Sequence, residues 1–507
     1  MSRRNFLGNM AAASFLGSLG LNAPFVLTRE RRAQQKSQWD LIILGAGTAG
    51  MPAAIFAAGC GAKVLVLEAT VVTGGTLDRS SGQVAGSGTV WQKERNILDS
   101  TDAHYADHMR INNWSSDPAL TRLMVDEAPA TLNWLAANGF KLVDGDPVFG
   151  KGHDPFTIER YQNGPDRGRS ILKAMQPLFE AVVASGKVAI KYETIAVELI
   201  QDALGAVIGV VAENSSRTRA EYFGSRVLIA TGGCAANPQL FEDLHGTPLT
   251  TMSARPSSQG QGLILAIGAG AVLRGGDKYV PLYGTLLESD SAPSVQDGSF
   301  QHDPKNRKPW EIHVNSRGER FVQEDHLGHE YREHALLKQP GHRLWVIGDD
   351  EILRNAPTFL SRWTPDRIQK AFAQGHPMFA QAESLTSLAV RAGVDANGLK
   401  RSVSEYNAAL SSGAPDPMGR LYRPLPIIKP PYFAVRMTGW TVFSFAGIVA
   451  DASLRALRSD GSPIKNLFVA GEALGGAATS GNAYTNGAML TSALGFGRFI
   501  GLRALQR

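Results

Sequence analysis

The sequence predicts an α/β protein of two domains, in which an α+β domain is inserted between the two parts of the other. Three observations carry this prediction. A strand, a glycine-rich turn and a helix follow one another near the start of the chain; the same glycine-rich texture returns near its end; and the residues between are richer in aromatic residues, proline and histidine. We expect the two glycine-rich parts to meet in one domain.

The composition is that of a globular protein. Of 507 residues, 43% are hydrophobic and 19% charged, and no internal apolar run approaches the roughly 20 residues that cross a bilayer. The formal net charge is +5, but residues 1–37 hold six basic side chains and one acidic one, so the charges balance in the remainder. That remainder shows no basic stripe, which argues against a nucleic-acid partner.

Residues 1–37 resemble a twin-arginine export leader. Arg3 and Arg4 precede an uncharged apolar stretch that runs from Phe6 to Thr28. This pattern predicts a periplasmic protein that engages the twin-arginine export machinery. An N-terminal helix that stays as a membrane anchor is the alternative, because no small-residue cleavage site is visible.

The next residues have the order of a βαβ unit that binds a dinucleotide. Gly45 permits a tight turn, Gly47 leaves room for a pyrophosphate, and Gly50 lets the helix pack closely on the strand. Glu68 follows the second strand, where a carboxylate accepts hydrogen bonds from ribose hydroxyls. The parts in order are a strand at 39–44, the turn at 45–50, a helix at 51–58 and a strand at 63–67.

Further apolar runs fill in the two domains. Strands are expected at 188–190, 194–200, 207–211, 226–230 and 466–470, and helices at 263–267, 365–374, 381–392 and from about 487. The composition becomes richer in aromatic residues, proline and histidine near residue 277, and it becomes glycine-rich again after about residue 425. We therefore divide the chain into the leader (1–37), a first domain in two parts (38–276 and 426–507) and an inserted domain (277–425).

Five motifs, in order, resemble the fumarate reductase / succinate dehydrogenase flavoprotein superfamily, which includes 3-ketosteroid dehydrogenases. They are residues 45–50; 73–76 with 80–82; 230–233; 314–321; and 468–472 with 496–498. The resemblance implies a Rossmann-like FAD-binding domain, split in the sequence, and an α+β cap domain that closes over the isoalloxazine. It also implies hydride transfer between flavin N5 and a carbon beside an activating group, with the redox chemistry belonging to the cofactor.

By this resemblance the cofactor is FAD, and its contacts carry over residue by residue. The match implies Gly45, Gly47, Thr48, Ala49 and Gly50 at the pyrophosphate; Glu68 at the adenosine ribose; Gly75, Thr76, Ser81 and Gly82 at the ribityl and flavin side; Thr231 and Gly232 in the third motif; Glu472 at the ribityl chain; and the amides of Met489 and Leu490 at flavin O2. Residues 74–80, where succinate dehydrogenases attach flavin covalently, hold no histidine. We therefore expect non-covalent FAD.

The substrate side departs from the fumarate reductases. The position of their proton-donating arginine holds Gly328, and their two substrate histidines correspond to Tyr283 and about Phe443. Their substrate arginine has no counterpart between Gly471 and Thr491. Because a dianion desolvated without cations loses several kcal/mol, a C4 dicarboxylate is disfavoured as the substrate.

Aromatic and phenolic residues replace these groups. Tyr484 lies just before the flavin-facing helix, much as 3-ketosteroid dehydrogenases place a tyrosine, and a phenol hydroxyl donates to a carbonyl and stabilises a developing enolate. Tyr283 is the candidate partner acid or base, and packing alone is the other interpretation of both tyrosines. His326 or His329 is a candidate proton relay, and a solvated surface position is the other interpretation of these histidines. The histidines that follow residue 321 have no metal-binding spacing, so we expect no metal site.

These observations predict an FAD-dependent oxidoreductase that adds or removes hydrogen across a C–C bond next to a carbonyl, on an uncharged, cyclic or aromatic substrate. Two alternatives stay open. One is a reductase of an unsaturated carboxylic acid, like fumarate or urocanate reductases, in which Arg332 or Arg320 binds the carboxylate of the substrate. The other is a non-redox flavoprotein such as an isomerase or hydratase. No haem or iron–sulfur cysteine pattern occurs. A separate electron donor or acceptor, a quinone or a redox protein, is therefore expected beside the small-molecule substrate.

Overall fold

The computed structural model describes residues 38–506, and the predicted leader lies outside them. Within that range the strands are β1 (Leu41–Leu44), β2 (Val64–Leu67), β3 (Val84–Ala85), β4 (Tyr161–Gln162), β5 (Val188–Lys191), β6 (Thr194–Gln201), β7 (Val207–Asn214), β8 (Arg219–Phe223), β9 (Val227–Ile229), β10 (Leu273–Arg274), β11 (Leu282–Leu287), β12 (Gln296–Phe300), β13 (Ile312–Val314), β14 (Arg343–Asp349), β15 (Leu360–Ser361), β16 (Phe379–Ala382), β17 (Tyr432–Trp440), β18 (Gly447–Ile448), β19 (Arg455–Leu457) and β20 (Pro463–Val469). The helices are α1 (Gly50–Gly59), α2 (Val90–Glu94), α3 (Thr101–Ile111), α4 (Pro118–Ala137), α5 (Gly168–Ala184), α6 (Pro238–His245), α7 (Gln261–Gly268), α8 (His329–Leu337), α9 (Asp350–Asn355), α10 (Pro365–Ala373), α11 (Leu385–Ala392), α12 (Ala396–Ser412), α13 (Ala477–Ser480) and α14 (Ala488–Leu502).

The first sheet has the order β19-β20-β9-β1-β2-β5. Every neighbouring pair is parallel except β19 with β20. β1, β2 and β9 are buried along their whole length, as is typical of a parallel sheet covered on both faces. The predicted α/β, Rossmann-like class is confirmed, and strands from both ends of the chain meet in this sheet.

A second sheet, antiparallel throughout, has the order β13-β14-β17-β11-β12-β15, with β16 also paired to β17. Its central strand, β17, begins at Tyr432, past the predicted boundary at 425. The composition of the sequence changes at the prolines between Pro424 and Pro431, whereas the sheet gains its central strand only after them. The prolines therefore lie in the loop that precedes β17.

The C-terminal helix packs directly on the first helix. A Cβ added at Gly497 would lie 2.1 Å from the Ala49 carbonyl oxygen, and one at Gly501 would lie 2.6 Å from that of Ala53. Only glycine permits this approach of α14 to α1. The packing brings the two ends of the sequence to one cavity, which both the turn before α1 and the start of α14 line.

Most predicted elements lie close to their expected bounds. The segment 381–392 is divided, because β16 ends at Ala382 and α11 begins at Leu385. In the part of the chain that the structure describes, no helix is long and apolar enough to cross a membrane.

Candidate active site

The glycine-rich turn after β1 is held against the end of β2. The Gly45 amide donates to the Leu67 carbonyl at 2.8 Å, and the Ala46 amide donates to Glu68 Oε2 at 2.8 Å. Glu68 is buried, and its Oε1 accepts hydrogen bonds from the amide and hydroxyl of Thr70. The carboxylate therefore fixes the turn and also lines the cavity beside it.

Three consecutive amides of this turn lack an acceptor. Those of Gly47, Thr48 and Ala49 donate to no oxygen among residues 38–506, and all three residues line the cavity. Amides shielded from water are rarely left unpaired, and a run of them at a helix N-terminus binds phosphate. The cradle therefore fits the pyrophosphate of a dinucleotide.

Gly50 and Gly82, two of the glycines expected at the cofactor, lie behind the residues that line the cavity. A Cβ on Gly50 would lie 1.9 Å from the Gly45 carbonyl oxygen, and one on Gly82 would lie 2.3 Å from the Arg167 carbonyl carbon. Neither residue is among those lining the cavity. Their role in the structure is close backbone packing, which holds their neighbours Ala49 and Ser81 at the wall.

The cavity has a volume of about 930 Å³ and joins the turn to the start of α14. The predicted cofactor residues on its wall are Gly45, Gly47, Thr48, Ala49, Glu68, Gly75, Thr76, Ser81, Thr231, Gly232, Glu472, Met489 and Leu490. They come from both ends of the sequence. Their individual contacts with a cofactor stay predictions.

Glu472 places a carboxyl group in this wall. Its Oε1 accepts a hydrogen bond from the Ser444 amide at 3.0 Å. Burial raises the pKa of Glu472 to about 7, so the group exchanges a proton near neutrality. Such a carboxyl accepts hydrogen bonds from ligand hydroxyls, which suits the ribityl chain expected there.

The start of α14 presents two free amides. Gly487, with φ of 77°, precedes the helix, and no side chain caps it. The amides of Met489 and Leu490 have no acceptor within the described chain, and both residues line the cavity. The positive end of the helix dipole therefore favours negative charge at this point, as flavin O2 develops on reduction.

Aromatic rings form the neighbouring wall. The ring centroids of Phe443 and Tyr484 are 5.4 Å apart, and Tyr484 stacks on His153 at 5.4 Å. Trp440 lines the same cavity. A wall of this kind suits a flat, largely apolar ligand.

The hydroxyl of Tyr484 is already hydrogen-bonded within the protein. It donates to the Val280 carbonyl at 3.0 Å and lies 3.4 Å from Thr441 Oγ1. Burial raises the pKa of this phenol well above its usual range, so it stays neutral. A substrate carbonyl, which the sequence leads one to expect as the acceptor, must therefore compete with the Val280 carbonyl for this hydrogen.

Tyr283 lies in the core of the second sheet rather than on the cavity wall. Its side chain is 1% exposed, and its hydroxyl is 2.9 Å from His313 Nδ1. The His302 ring lies 5.2 Å from its ring. The structure thus separates Tyr283 from Tyr484, because β11 directs this side chain into the core of the second sheet, and Tyr283 is not among the residues that line the cavity.

His326 also lies off the cavity wall. Its Nδ1 accepts a hydrogen bond from the Gly328 amide at 3.0 Å, and its ring stacks on Tyr331 at 4.1 Å. These local contacts occupy the residue expected as a proton relay. Among the described residues, no three histidine, cysteine, aspartate or glutamate side chains are placed to hold a metal ion.

Sequence reasoning missed His153, which lines the cavity from the loop between α4 and β4. This loop has no hydrophobic period, and its one signal was a His–Asp pair that follows Gly152. Helix α8 carries two further buried groups, Arg332 and Glu333, and Glu333 Oε1 lies 4.0 Å from His153 Nδ1. Glu333 Oε2 and two nitrogens of Arg332, Nε and Nη2, have no hydrogen-bond partner among residues 38–506.

A parallel sheet that offers free amides and a carboxylate to one elongated cavity defines a dinucleotide-binding protein. Comparison with protein families identifies the dinucleotide: residues 40–487 match the FAD binding domain family, and the chain belongs to that family. The free amides at both ends of the cavity fit FAD. The protein is an FAD-dependent oxidoreductase that acts on C–C bonds, as the motifs predicted.

Relatives with known names confirm the superfamily. The chain is 27% identical over 470 residues to a fumarate reductase (cytochrome) of Shewanella frigidimarina, covering 92% of this chain and 76% of that protein. It is 26% identical over 457 residues to a vinyl phenol reductase of Lactiplantibacillus plantarum, covering 85% and 89%. A solved 3-ketosteroid delta1-dehydrogenase from Sterolibacterium denitrificans has the same fold, with a TM-score of 0.72 at 19% identity over 92% of this chain and 99% of that one.

Proposed function

We propose that the enzyme adds or removes hydrogen across a C–C bond conjugated to a carbonyl, in an uncharged, cyclic or aromatic substrate. The observation that carries this proposal is the aromatic wall formed by Phe443, Tyr484 and His153. Phe443 stands about where fumarate reductases carry a substrate histidine, so the wall offers stacking in place of a cation. The likeness to a vinyl phenol reductase, which by its name acts on a ring, supports the same substrate shape.

FAD, when bound, supplies hydride exchange at flavin N5. The chain's own residues bind and orient. Free amides of the turn after β1 hold the pyrophosphate, Glu68 and Glu472 accept from cofactor hydroxyls, and the start of α14 stabilises negative charge on the flavin. The rings of Phe443 and Tyr484 hold the substrate flat and exclude water. We propose that the cofactor is held without a covalent bond.

Anaerobic mixing of the FAD-loaded enzyme with a panel of cyclic enones and ketones tests this function. We expect the flavin absorbance to bleach or recover in step with substrate conversion. Conversion without any change of the flavin spectrum would instead identify an isomerase or hydratase that uses FAD as a scaffold. Inertness toward every member of the panel contradicts the proposed substrate class.

A second candidate, the reductase of an unsaturated carboxylic acid, is favoured by one observation. Arg332 is fully buried, and its Nη1 donates to the His326 carbonyl, while Nε and Nη2 have no partner among residues 38–506. Two unpaired donors on a buried guanidinium are costly, and a carboxylate satisfies both at once. Arg320 does not serve this purpose, because Glu324 and Asp416 bind it at 2.7 and 2.8 Å.

A matched pair of compounds separates the two candidates. An aryl-substituted unsaturated acid and its methyl ester have the same ring and double bond but differ in charge. Under the first proposal the ester is turned over at least as well as the acid. A kcat/KM at least about 100-fold higher for the acid, lost in Arg332→Gln, would establish the second.

We propose that the protein is exported to the periplasm by the twin-arginine machinery and exchanges electrons with a separate quinone or redox protein. The leader carries the proposal for export, and the balanced charge of residues beyond 37 is consistent with an enzyme of small molecules. The lack of a haem or iron–sulfur ligation pattern in this sequence supports a separate electron partner.

A further inference from the structure

A line of titratable side chains runs from the cavity wall into the helix α8. It begins at His153, whose Nδ1 lies 4.0 Å from Glu333 Oε1. Glu333 is 1% exposed, and its other oxygen, Oε2, has no hydrogen-bond partner in the described chain. At 4.0 Å the imidazole and the carboxyl group are near neighbours, just beyond hydrogen-bonding distance.

The line continues to the surface one helical turn away. Glu330 precedes Glu333 by three residues on α8, so the two side chains lie on the same face of the helix. Glu330 is hydrogen-bonded to Asp154, the residue next to His153. Its Oε1 lies 3.6 Å from Nε2 of His334, whose side chain is 31% exposed.

These positions give a function to Glu333, a buried group that the proposed function leaves unused. We propose that Glu333 supplies protons to the flavin cavity through His153 and is itself refilled from the Glu330–Asp154 pair. The inference rests on the proposed hydride chemistry and names its proton donor. It also accounts for Gly328, which stands where fumarate reductases carry a proton-donating arginine.

The charges around Glu333 suit a proton donor. Burial, with Glu330 and Asp154 adding to it, raises the pKa of Glu333 to about 8, although the nearby Arg332 opposes the shift. The carboxyl group is therefore protonated at neutral pH. Burial and the neighbouring His329 lower the pKa of His153 to about 3, so its ring is neutral and passes a proton without storing one.

The step balances with the separate electron partner proposed above, which returns the cofactor to its reduced form after each hydride transfer. In the reducing direction, one substrate carbon receives the hydride that the cofactor supplies, and its neighbour receives a proton from His153 Nε2. His153 Nδ1 takes the proton of Glu333, and Glu333 regains one from the Glu330–Asp154 pair and hence from solvent. In the dehydrogenating direction each proton moves the opposite way.

An infrared comparison tests the route without turnover. We expect FAD-loaded wild type at neutral pH to show the carbonyl stretch of a buried protonated carboxyl group that shifts in D₂O. The band should be lost in Glu333→Gln and kept in Glu383→Gln, a control at an exposed position of the cap. A band that survives unchanged in Glu333→Gln overturns the proposal.

Kinetics supply a second readout. With a substrate that wild type converts, Glu333→Gln should lower kcat about 100-fold and leave KM within about twofold, while Glu333→Asp recovers part of the rate. Wild-type rates in Glu333→Gln would overturn the route and leave the proposed function standing. If wild type converts no compound of the panel, the proposed function fails and the route that rests on it fails too, whatever protonation the infrared comparison assigns to Glu333.

Discussion

At the scale of single residues, the glycines of the first turn have different tasks although they belong to one motif. Gly45 has φ of 101°, and a Cβ there would lie 2.6 Å from the Ala230 carbonyl oxygen. A Cβ on Gly47 would meet only Gly75, with its nearest atom at 3.5 Å, an ordinary contact distance. The protein itself therefore has room for a methyl group at Gly47, and we predict that glycine is needed there only for the bound cofactor.

This difference predicts opposite behaviour of two alanine variants. Gly47→Ala should leave the apoprotein's free energy of unfolding within about 0.5 kcal/mol of wild type but weaken FAD binding at least tenfold. Gly45→Ala should destabilise the apoprotein by about 2 kcal/mol or more. The positive φ of Gly45 disfavours any other residue, and the Ala230 carbonyl leaves no room for a side chain. Denaturant unfolding of apoprotein and titration with FAD measure the two effects. Full FAD affinity in Gly47→Ala would contradict the cradle.

At the scale of elements, α8 carries acidic groups into a poorly solvated position. Burial and the adjacent Asp154 raise the pKa of Glu330 to about 7 from its usual 4.5. The unfolded chain releases this proton above pH 4.5, whereas the folded protein keeps it until about pH 7. Glu330 therefore does not lower the free energy of unfolding below pH 4.5. It lowers this free energy progressively as the pH rises, and by a constant amount above about pH 7.

Replacing the Glu330 carboxyl group by an amide should remove the contribution of this group to the pH dependence of stability. Glu330→Gln keeps the shape and a donor to Asp154, so its stability should equal that of wild type near pH 4.5. Above pH 7 it should exceed wild type by on the order of 1–3 kcal/mol. Unfolding midpoints of both proteins at the two pH values check this, with the exposed Glu383→Gln as the control. An equal difference at both pH values would show that Glu330 titrates normally.

At the scale of the whole molecule, the features that the sequence predicted well are those with a local signal in the sequence. The turn at Gly45 and the start of α14 have backbone signals, so both ends of the FAD cavity could be located. Groups that depend on long-range packing could not. Tyr283 and Tyr484 look alike in the sequence, but only the paired sheets show that one is buried at His313 and the other lines the cavity. His153 acquires a role only when its loop meets α8.

For the whole chain, the twin-arginine pair of the leader predicts the route to the periplasm. Replacing Arg3 and Arg4 together by lysine keeps the charge but removes the guanidinium pair that the twin-arginine machinery recognises. We expect most of the protein to remain in the cytoplasmic fraction, folded and with FAD bound. The matched control is the pair Arg31 and Arg32, whose replacement by lysine should leave export unchanged. Cell fractionation with flavin fluorescence measures both, and continued periplasmic accumulation of the Arg3 and Arg4 variant would show that another signal directs export.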